Sequence, residues 1–325
     1  MATITRRTAF ACAAAFAGGT LARPAVLRAQ ERPLRIVVPF APGGAADYVA
    51  RIVAKELTEA GLAKAIVDNK PGANGIIGVD AVAKAPPDGT TIVLSALGAL
   101  TINPHLQPVP YAPLLDLAPI SLAVINPLTI VVRKDLPATS IAELIALAKG
   151  KPGKLTAGTS GAGSVLHVAL ELLNQKAGVD ITHVPYKGEG PAASDLVNGQ
   201  IDMAVLTIVS VQAHVNSGAI RVIAVTGGKR AFALPQVATI AEQGVAGYEA
   251  EAWNAFLAPG KTPPEIIAKL NKDITGILKR PAVLEGLRQR GSEVVASTPE
   301  EFTIALKRDF EKYGALAKSA NIKLD

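Results

Sequence analysis

Apolar positions follow two alternating periods along this chain, and each change of period predicts a strand followed by a helix. The run from Leu34 to Phe40 is rich in β-forming residues; glycines follow it, and then apolar positions recur at helical spacing from Val49 to Leu57. Further strands are predicted at 65–67, 91–94, 120–124, 129–132, 154–157, 201–205 and 221–225. This alternation of strands and helices is typical of an α/β fold with mainly parallel sheets.

The chain from Pro263 onward shows a different pattern, in which helices dominate. Helices are predicted at 264–278, 282–290 and 299–319, with a short β-like segment at 293–296. Two helix starts carry capping boxes, Ser140 with Glu143 and Thr298 with Glu301. We expect this tail to pack on a domain that begins earlier in the chain.

The first 29 residues have the features of a secretory signal. Arg6 and Arg7 are the only charges before a run of small and apolar residues from Ala9 to Gly19. The whole stretch from Thr8 to Ala22 is too short and too rich in alanine to span a membrane, which takes about 20 strongly apolar residues. We predict export with cleavage near Ala29, and the paired arginines leave both the general secretory route and the twin-arginine route open.

Removal of this segment changes the composition of the chain. The segment holds four arginines and no acidic residue, so the basic count falls from 33 to 29 against 27 acidic residues, and the net charge from +6 to +2. No polybasic patch then remains to favour nucleic acid. The single cysteine, Cys12, is removed as well, which argues against disulfides, thiol catalysis and cysteine metal sites. About 295 residues remain, enough for one or two domains of a soluble protein.

Two glycine-rich loops each join a predicted strand to a predicted helix. The first is FAPGGAAD at 40–47, and the second is TAGTSGAGS at 156–164. Glycine lets the backbone approach a ligand closely, and free amides at a helix start attract an anion. The hydroxyls of the second loop can add hydrogen bonds without a fixed positive charge. We interpret both loops as anion cradles; the alternative for the first is a tight turn with Asp47 as the helix cap.

Neither loop fits a motif for nucleotide binding or for hydrolysis. The first departs from G-x-G-x-x-G, and no acidic residue follows where a ribose would be bound. In the second, no lysine follows Gly163 as a P-loop requires, and Ala162 stands where the nucleophile elbow G-x-S-x-G has glycine. An exported hydrolase that uses Ser160 or Ser164 with a histidine is therefore a weaker hypothesis than a binding protein.

Several other polar and aromatic residues allow two interpretations. His167 and Glu171 stand four positions apart on the helix after the second loop, a spacing that could serve a metal ion, but no H-E-x-x-H motif is present and we favour a hydrogen-bonded histidine. Trp253 and Tyr186 could each line a pocket or belong to the core. Asp202 adjoins a predicted strand and is either a site residue or a turn residue.

Short segments in a fixed order along the chain match a known family. They are 36–40 (IVVPF), 42–44 with Asp47, 69–73 (NKPGA), 87–90 (PDGT), 103–105 (NPH), 152–155 (PGKL), 163–164 with His167, 183–188 (HVPYKG), 199–202 (GQID), 224–226 (AVT), 247–249 (GYE) with Trp253, 258–259 (AP) and 298–302 (TPEEF). In these segments the chain resembles the solute receptors of tripartite tricarboxylate transporters, also called Bug-type periplasmic binding proteins. The resemblance covers residues 34–325.

The resemblance implies a type II periplasmic-binding-protein fold, with two α/β lobes, a ligand cleft between them and crossing hinge strands. Lobe 1 would comprise residues 30–126 and 251–325, and lobe 2 residues 127–250. Both loops would supply backbone amides and hydroxyls to a carboxylate. The predicted ligand-binding residues are Phe40, Ala41, Pro42, Gly43, Gly44, Ala45, Asp47, Ser95, Thr159, Ser160, Gly163, Ser164, Tyr186 and Asp202. No catalytic residue, metal or cofactor is predicted.

The function implied by the resemblance is capture of a small organic carboxylate in the periplasm and its delivery to the membrane subunits of such a transporter. We expect a monomer that does not bind nucleic acid; a receptor that reports to a signalling partner is the alternative. The sequence departs from the family pattern at Lys70 (commonly Arg), Asn74 (commonly Gly), 107–109 (often with Tyr and Lys) and Tyr111-Ala112 (usually Tyr-Asp). These departures leave the identity of the ligand open.

Overall fold

The computed structural model describes residues 32–319. The predicted signal segment at 1–29, with Arg6, Arg7 and Cys12, lies outside the described residues. The chain from Pro33 onward groups into a single unit by its internal contacts. Among residues 32–319, no helix combines the length and the apolar character needed to cross a membrane.

The strands of the described chain belong to two sheets. In chain order they are β1 (Leu34–Val38), β2 (Ala65–Asn69), β3 (Thr91–Ala96), β4 (Leu117–Asn126), β5 (Leu128–Arg133), β6 (Thr156–Thr159), β7 (Thr182–Pro185), β8 (Met203–Thr207), β9 (Ile220–Val225), β10 (Ala252–Pro259) and β11 (Glu293–Val294). The first sheet has the order β2-β1-β3-β10-β4-β11, and the second has the order β7-β6-β8-β5-β9.

Helices cover both sheets. They are α1 (Ala45–Glu59), α2 (Ile76–Ala83), α3 (Leu97–Thr101), α4 (Asn103–Leu106), α5 (Ile141–Gly150), α6 (Val165–Ala177), α7 (Glu189–Val197), α8 (Ile208–Asn216), α9 (Pro264–Leu278), α10 (Pro281–Gln289) and α11 (Pro299–Ser319), and a 3-10 turn at Ala73–Gly75 precedes α2. The helices predicted at 264–278 and 299–319 are confirmed with these bounds.

The first sheet is buried on both faces because helices cover each of them. Successive side chains along a strand point to opposite faces, so neighbouring residues of β1 pack against different helices. Ile36 and Val38 of β1 pack with α1, α9 and α10 on one face. Val37 packs on the other face with α2, α3 and α11. The tail helices α9, α10 and α11 therefore complete the first sheet, as the pattern from Pro263 onward predicted.

The second sheet carries α5 to α8, and its core is continuous with one face of the first sheet. Strand β5 runs antiparallel to both β8 and β9, whereas β6 is parallel to β7 and β8. In the first sheet β10 is likewise antiparallel to β3 and β4, so both sheets are mixed and the prediction of mainly parallel sheets is wrong. The shared core cluster includes Leu128 and Val205 of the second sheet together with Val37 and Trp253 of the first. Tyr248 adds a buried hydrogen bond from its hydroxyl to the Ala169 carbonyl, at 2.8 Å.

Two segments carry the chain between the sheets, one from β4 to β5 and one from β9 to β10. They are hydrogen-bonded to each other, since Thr226 N donates to the Leu128 carbonyl at 3.0 Å. Thr226 Oγ1 also donates to the Ala250 carbonyl at 2.6 Å, which joins the two ends of the second segment. On the side of the first sheet, Asn126 Nδ2 donates to Asn254 Oδ1 at 2.7 Å. The two crossings therefore form one paired connection.

Both predicted capping boxes produce helix starts, but they differ in detail. At α11, Glu301 N donates to Thr298 Oγ1 and Thr298 N donates back to Glu301 Oε2, as predicted. At α5, Ser140 Oγ accepts from Glu143 N, whereas the Glu143 carboxylate accepts mainly from Thr139, through its N–H at 2.6 Å and its hydroxyl at 2.7 Å. The backbone and side-chain hydrogen bonds from Thr139 lower the pKa of Glu143.

Candidate functional site

In both sheets, the first of three consecutive parallel strands lies between the other two. The chain passes from β1 to β2 on one side and then to β3 on the other, and it does the same with β6, β7 and β8. Connections that diverge in this way leave a crevice at the carboxyl ends of the strands, where open α/β sheets bind ligands. The first loop (40–47) follows β1, and the second loop (156–164) begins with β6 itself and continues beyond its carboxyl end, so each lies at the crevice of its own sheet.

The first loop is held from behind by the carboxylate of Asp47. Its Oδ2 accepts hydrogen bonds from Gly43 N and Arg51 Nε, both at 2.9 Å, and its Oδ1 accepts from Asn69 Nδ2 at 2.9 Å. Asn69 Nδ2 also reaches the Phe40 carbonyl at 3.1 Å. Burial opposes ionisation of Asp47, which is only 4 % exposed, but the hydrogen bonds from Arg51, Gly43 and Asn69 outweigh it and lower its pKa.

Asp47 is therefore a support for the loop, and the helix cap is a different residue. Gly44 is the N-cap of α1, and Asp47 stands in the first helical turn. This corrects the alternative in which Asp47 itself caps the helix. Gly43 has a φ of +94°, a conformation that glycine adopts without strain.

The first loop is exposed and ends in unpaired amides at the start of α1. Ala41, Pro42, Gly43 and Gly44 are exposed. Within the described residues, the N–H groups of Gly44, Ala45 and Ala46 make no hydrogen bond. Donors of this kind at a helix N-terminus favour a negatively charged group.

The second loop is shaped by neutral groups. Ser164 is the N-cap of α6, and its Oγ accepts from His167 N at 3.2 Å. Gly163 N donates to His167 Nδ1 at 3.1 Å, and Gly161 N donates to Thr159 Oγ1 at 3.3 Å. The N–H groups of Ser160, Ala162 and Val165 make no hydrogen bond within residues 32–319, so this loop also presents free donors at a helix start.

Two stacked histidines brace the second loop. The rings of His167 and His183 lie 3.7 Å apart at an angle of 10°, and His183 Nε2 is hydrogen-bonded to Thr159 Oγ1 at 2.7 Å. His167 Nδ1 accepts an amide proton, which places the ring proton on Nε2, 3.6 Å from Glu171. No cluster of three metal-ligating side chains occurs within the described part of the chain, and His167 serves as a hydrogen-bonded support.

The two loops are linked across the seam between the sheets by Asn74. Its Nδ2 donates to Asn103 Oδ1 at 3.1 Å and to the Gly163 carbonyl of the second loop at 3.4 Å. The next residue, Gly75, packs against the Phe40 ring of the first loop, since a Cβ there would lie 3.3 Å from the ring. A chain of contacts thus runs from the first loop through 74–75 to the second.

Two further predicted residues lie at the carboxyl ends of strands near the loops. Tyr186 follows β7; its N–H donates to the Thr159 carbonyl, and its hydroxyl donates to Asp195 at 2.7 Å. Burial, together with Asp195, raises the pKa of Tyr186 to about 12. Ser95, on β3, is fully buried and donates to the Ala96 carbonyl at 3.2 Å.

Asp202 and Trp253 lie away from the loops. Asp202 immediately precedes β8, so it stands at the opposite edge of the second sheet, where its carboxylate binds Arg133 Nε at 3.1 Å and Thr156 N at 3.0 Å. We therefore leave Asp202 out of the candidate site. Trp253 is buried in the core with Phe302, and its indole N–H donates to Asp309 at 2.8 Å.

The structure adds Glu189 and Arg290, which the sequence patterns did not single out, as partners of Thr207 and Tyr48, two residues also expected to shape the pocket. Glu189 Oε2 accepts from Thr207 N, Thr207 Oγ1 and Ser210 Oγ, at 2.7 to 2.8 Å, and so occupies the start of α8 with an internal carboxylate. The guanidinium of Arg290 lies 3.9 Å from the centre of the Tyr48 ring, in the first turn of α1. No local motif marks these pairs because their members are distant in sequence.

Two shallow grooves lie elsewhere on the surface. One is lined by Leu172, Lys176, Gly247, Glu249, Lys312, Ala315 and Leu316, and the other by Ala118, Thr262, Pro264, Ile267, Ala268, Asn271, Thr298, Pro299 and Glu300. Neither includes a residue of the two loops. The candidate site is instead defined by the free amides at the starts of α1 and α6.

Comparisons with known proteins agree with this geometry. Residues 49–322 match the family described as the tripartite tricarboxylate transporter family receptor. The protein BugT of Bordetella pertussis is 35 % identical over 295 residues, which is 90 % of each chain.

Two solved structures are similar over almost their whole length. A Rhodopseudomonas palustris protein with adipate is 34 % identical with a TM-score of 0.84, covering 91 % of this chain and 99 % of that one. The R. palustris protein MatC with bound malate is 30 % identical with a TM-score of 0.79, covering 88 % and 99 %. The fold is therefore that of the periplasmic binding proteins, and the chain belongs to the TctC, or Bug, family of periplasmic solute receptors for tripartite tricarboxylate transporters.

Proposed function

We propose that this protein is exported, that its signal segment at 1–29 is removed, and that the mature chain holds a small organic carboxylate between the first and second loops. It then delivers the ligand to the membrane subunits of a tripartite tricarboxylate transporter. The observation that carries the proposal is the pair of helix starts, at α1 and α6, that present unpaired amides on either side of the Asn74 contact. The relatives solved with adipate and malate support a carboxylate as the ligand.

Recognition in this proposal depends on hydrogen bonds from neutral donors. A carboxylate accepts charge-assisted hydrogen bonds from amides, and these strengthen when water is excluded. Loop amides fixed by Asp47 and by His167 need little reorganisation when the ligand arrives, so less ordering entropy is lost on binding.

Closure completes the site in this proposal. We propose two lobes, residues 30–126 with 251–325 and residues 127–250, which move about the paired crossings at Thr226 and Asn126. A ligand that touches both loops binds the closed form better than the open form, and that difference shifts the population towards closure. The receptor acts as a monomer and releases its ligand to the transporter when the lobes open.

Binding measurements on variants of both loops test the proposal. The mature protein is titrated calorimetrically with a panel of small carboxylates that includes adipate and malate, and then Gly43→Val and Ser164→Ala are titrated with the tightest ligand. A side chain at Gly43 meets no atom within 4 Å but is strained at a φ of +94°, so the loop must change shape. We expect at least about tenfold weaker binding in each variant, as expected for the loss of one charge-assisted hydrogen bond.

Each variant has a matched control in the same chain. Gly61, just beyond the other end of α1, has a φ of +67° and equally open surroundings, so Gly61→Val adds the same kind of strain away from the loops. Ser140 caps α5 with a 3.2 Å bond like that of Ser164, so Ser140→Ala removes an equivalent cap. If the controls weaken binding as much as the loop variants do, or if no carboxylate binds, the proposed function is wrong.

The same preparation tests a serine hydrolase. His167 Nδ1 accepts from Gly163 N and His183 Nε2 is hydrogen-bonded to Thr159 Oγ1, so neither of these ring nitrogens pairs with Ser160 or Ser164. The family is one of receptors and not of enzymes. We expect a fluorophosphonate probe to leave Ser160 and Ser164 unlabelled; labelling that is lost on mutation of either serine would support the hydrolase.

A further inference from the structure

Arg290 is a full positive charge held in place beside the candidate site. It follows the end of α10, is exposed, and makes no ion pair within the described residues. Its guanidinium is stacked on the Tyr48 ring at 3.9 Å, a distance at which a cation is attracted by the ring face. Stacking limits the motion of a side chain that would otherwise be free in solvent.

The stacking partner places Arg290 next to the first loop. Tyr48 directly follows Asp47, and its N–H donates to the Gly44 carbonyl at 3.0 Å. The Tyr48 hydroxyl lies against α10, 3.7 Å from where a Cβ of Gly286 would stand. Tyr48 thus joins the start of α1 to the helix that carries Arg290.

Gly291, the residue after Arg290, lies against α8, a helix of the second sheet. A Cβ on Gly291 would lie 2.7 Å from Ile208 Cγ2 and 3.7 Å from Val209 N, at the start of α8. Arg290 is therefore held where the start of α1 and the start of α8 approach each other. Because α1 follows β1 and α8 follows β8, that position is at the carboxyl ends of the strands, on the same side as the two loops.

Asp47 and Glu189, the acids bound at the starts of α1 and α8, make no ion pair with Arg290 within the described residues. Both carboxylate oxygens of Asp47 are bound by Gly43, Arg51 and Asn69. Glu189 is bound by Thr207 and Ser210. The charge of Arg290 thus remains available to a ligand, whereas the two loops offer only the partial charges of amides.

We propose that Arg290, positioned by Tyr48, binds a second anionic group of the ligand, so that the receptor prefers organic dianions to monoanions of the same length. The inference rests on the proposed function, in which the loops bind the first carboxylate. Arginine suits this role because its planar group pairs with a carboxylate through two hydrogen bonds and keeps its charge at any physiological pH. Arg290 is then a specificity-determining residue of this chain.

The test compares matched ligand pairs by calorimetry on the mature protein. Adipate is paired with hexanoate and malate with 2-hydroxybutyrate, so that each pair differs by one carboxylate on the same carbon chain. We expect the wild type to prefer the dianion, and Arg290→Gln to weaken the dianion about tenfold while changing the monoanion less than about threefold. Arg290→Lys, which keeps the charge but not the fork, should fall between them.

Arg288→Gln is the matched control. Arg288 stands two residues earlier, is exposed, and is stacked 5.0 Å from the Phe232 ring instead of Tyr48. This variant should change neither ligand's affinity, and all variants should melt within a few degrees of the wild type.

Three other outcomes would contradict the role of Arg290, and a fourth would contradict the proposed function. Equal weakening of both members of a pair by Arg290→Gln, no weakening of the dianion, or a wild-type preference for monoanions would overturn the role of Arg290 and leave the proposed function standing. Failure of the wild type to bind any member of either pair, or any carboxylate of the wider panel, would overturn the proposed function as well.

Discussion

The first and second loops present the same kind of surface, but they are supported in different ways. Behind the first loop stands an ionised carboxylate, Asp47, bound by one amide, one guanidinium and one carboxamide. Behind the second loop stand uncharged acceptors, His167 Nδ1 and the hydroxyls of Ser164 and Thr159. A negative charge close to a proposed carboxylate site opposes ligand binding, so it is retained only where its support of the loop outweighs that repulsion.

The two loops differ in how much support they need to keep one conformation. The first loop is exposed and contains two glycines and a proline, so it needs a strong internal bond to hold one shape. The second is largely buried and is already braced by the stacked histidine rings, so neutral hydrogen bonds suffice. We therefore expect changes behind the first loop to have the larger effects.

Asp47→Asn should have the largest effect on stability. The amide nitrogen of asparagine cannot accept from Arg51 or Gly43, and three hydrogen bonds to a charged acceptor are weakened together. We expect a loss of about 2–3 kcal/mol in the free energy of unfolding, since hydrogen bonds to charged groups are the stronger ones. Urea unfolding measures this loss of stability. A loss smaller than that caused by His167→Leu, behind the second loop, would contradict the expectation that changes behind the first loop have the larger effects.

The difference in unfolding free energy between the wild type and Asp47→Asn should depend on pH. The pKa of Asp47 is lowered from 3.8 in the folded chain because the bonds from Arg51, Gly43 and Asn69 outweigh burial. Its ionised form therefore stabilises the fold fully above pH 3.8, and this contribution is lost as the pH falls through the lower folded value. The difference between wild type and Asp47→Asn should be constant from pH 7 to about 5 and shrink in more acidic solution; a difference that grows there would show the opposite sign.

His167→Leu should have a smaller effect, on the second loop alone. His167 is 6 % exposed, and its removal leaves Gly163 N without an acceptor and His183 without its stacking partner. We expect a loss of about 1–2 kcal/mol, the usual cost of one unsatisfied buried donor, with weaker carboxylate binding. His105→Leu is the control, because His105 binds the Phe310 carbonyl away from both loops, so it should lower stability and leave ligand affinity unchanged.

Asn74→Gly should have the smallest effect on stability, and it tests whether the contact of Asn74 with the second loop supports the site. The residue has a φ of 50°, so glycine relieves backbone strain while the bonds to Asn103 and to the Gly163 carbonyl are lost. These changes oppose each other, and we expect less than about 1 kcal/mol in stability. Binding should weaken about threefold because the 3.4 Å contact across the seam is long; calorimetry with unchanged affinity would show that the contact does not support the site.

Much of the architecture was predictable from local pattern. The helices at 264–278 and 299–319 and the strands that support both loops follow from apolar periodicity, since a helix or strand must bury one face or both. Strands β7 and β10 were not among the predicted strands. β7 is short, half-exposed and ends in proline, and β10 is buried along its whole length, so neither shows alternation.

The candidate site was predictable only in part. Both loops follow from glycine between a strand and a helix, a signal carried by neighbouring residues. Asp202 was expected near the ligand, but a strand runs away from it towards the crevice, and only the sheet shows which edge a residue occupies. The role of Asp47 as an internal anchor depends on Asn69, 22 positions away.

The sequence by itself determined most of the strands and helices and the two glycine-rich helix starts, because these follow from local backbone preference and side-chain period. The tertiary structure alone decided that Asn74 reaches Gly163, 89 positions later, and that Arg290 rests on Tyr48. The first pair is brought together when the two sheets pack, and the second when α1 and α10 pack on the same face of the first sheet. No interaction between sequence neighbours encodes either pair.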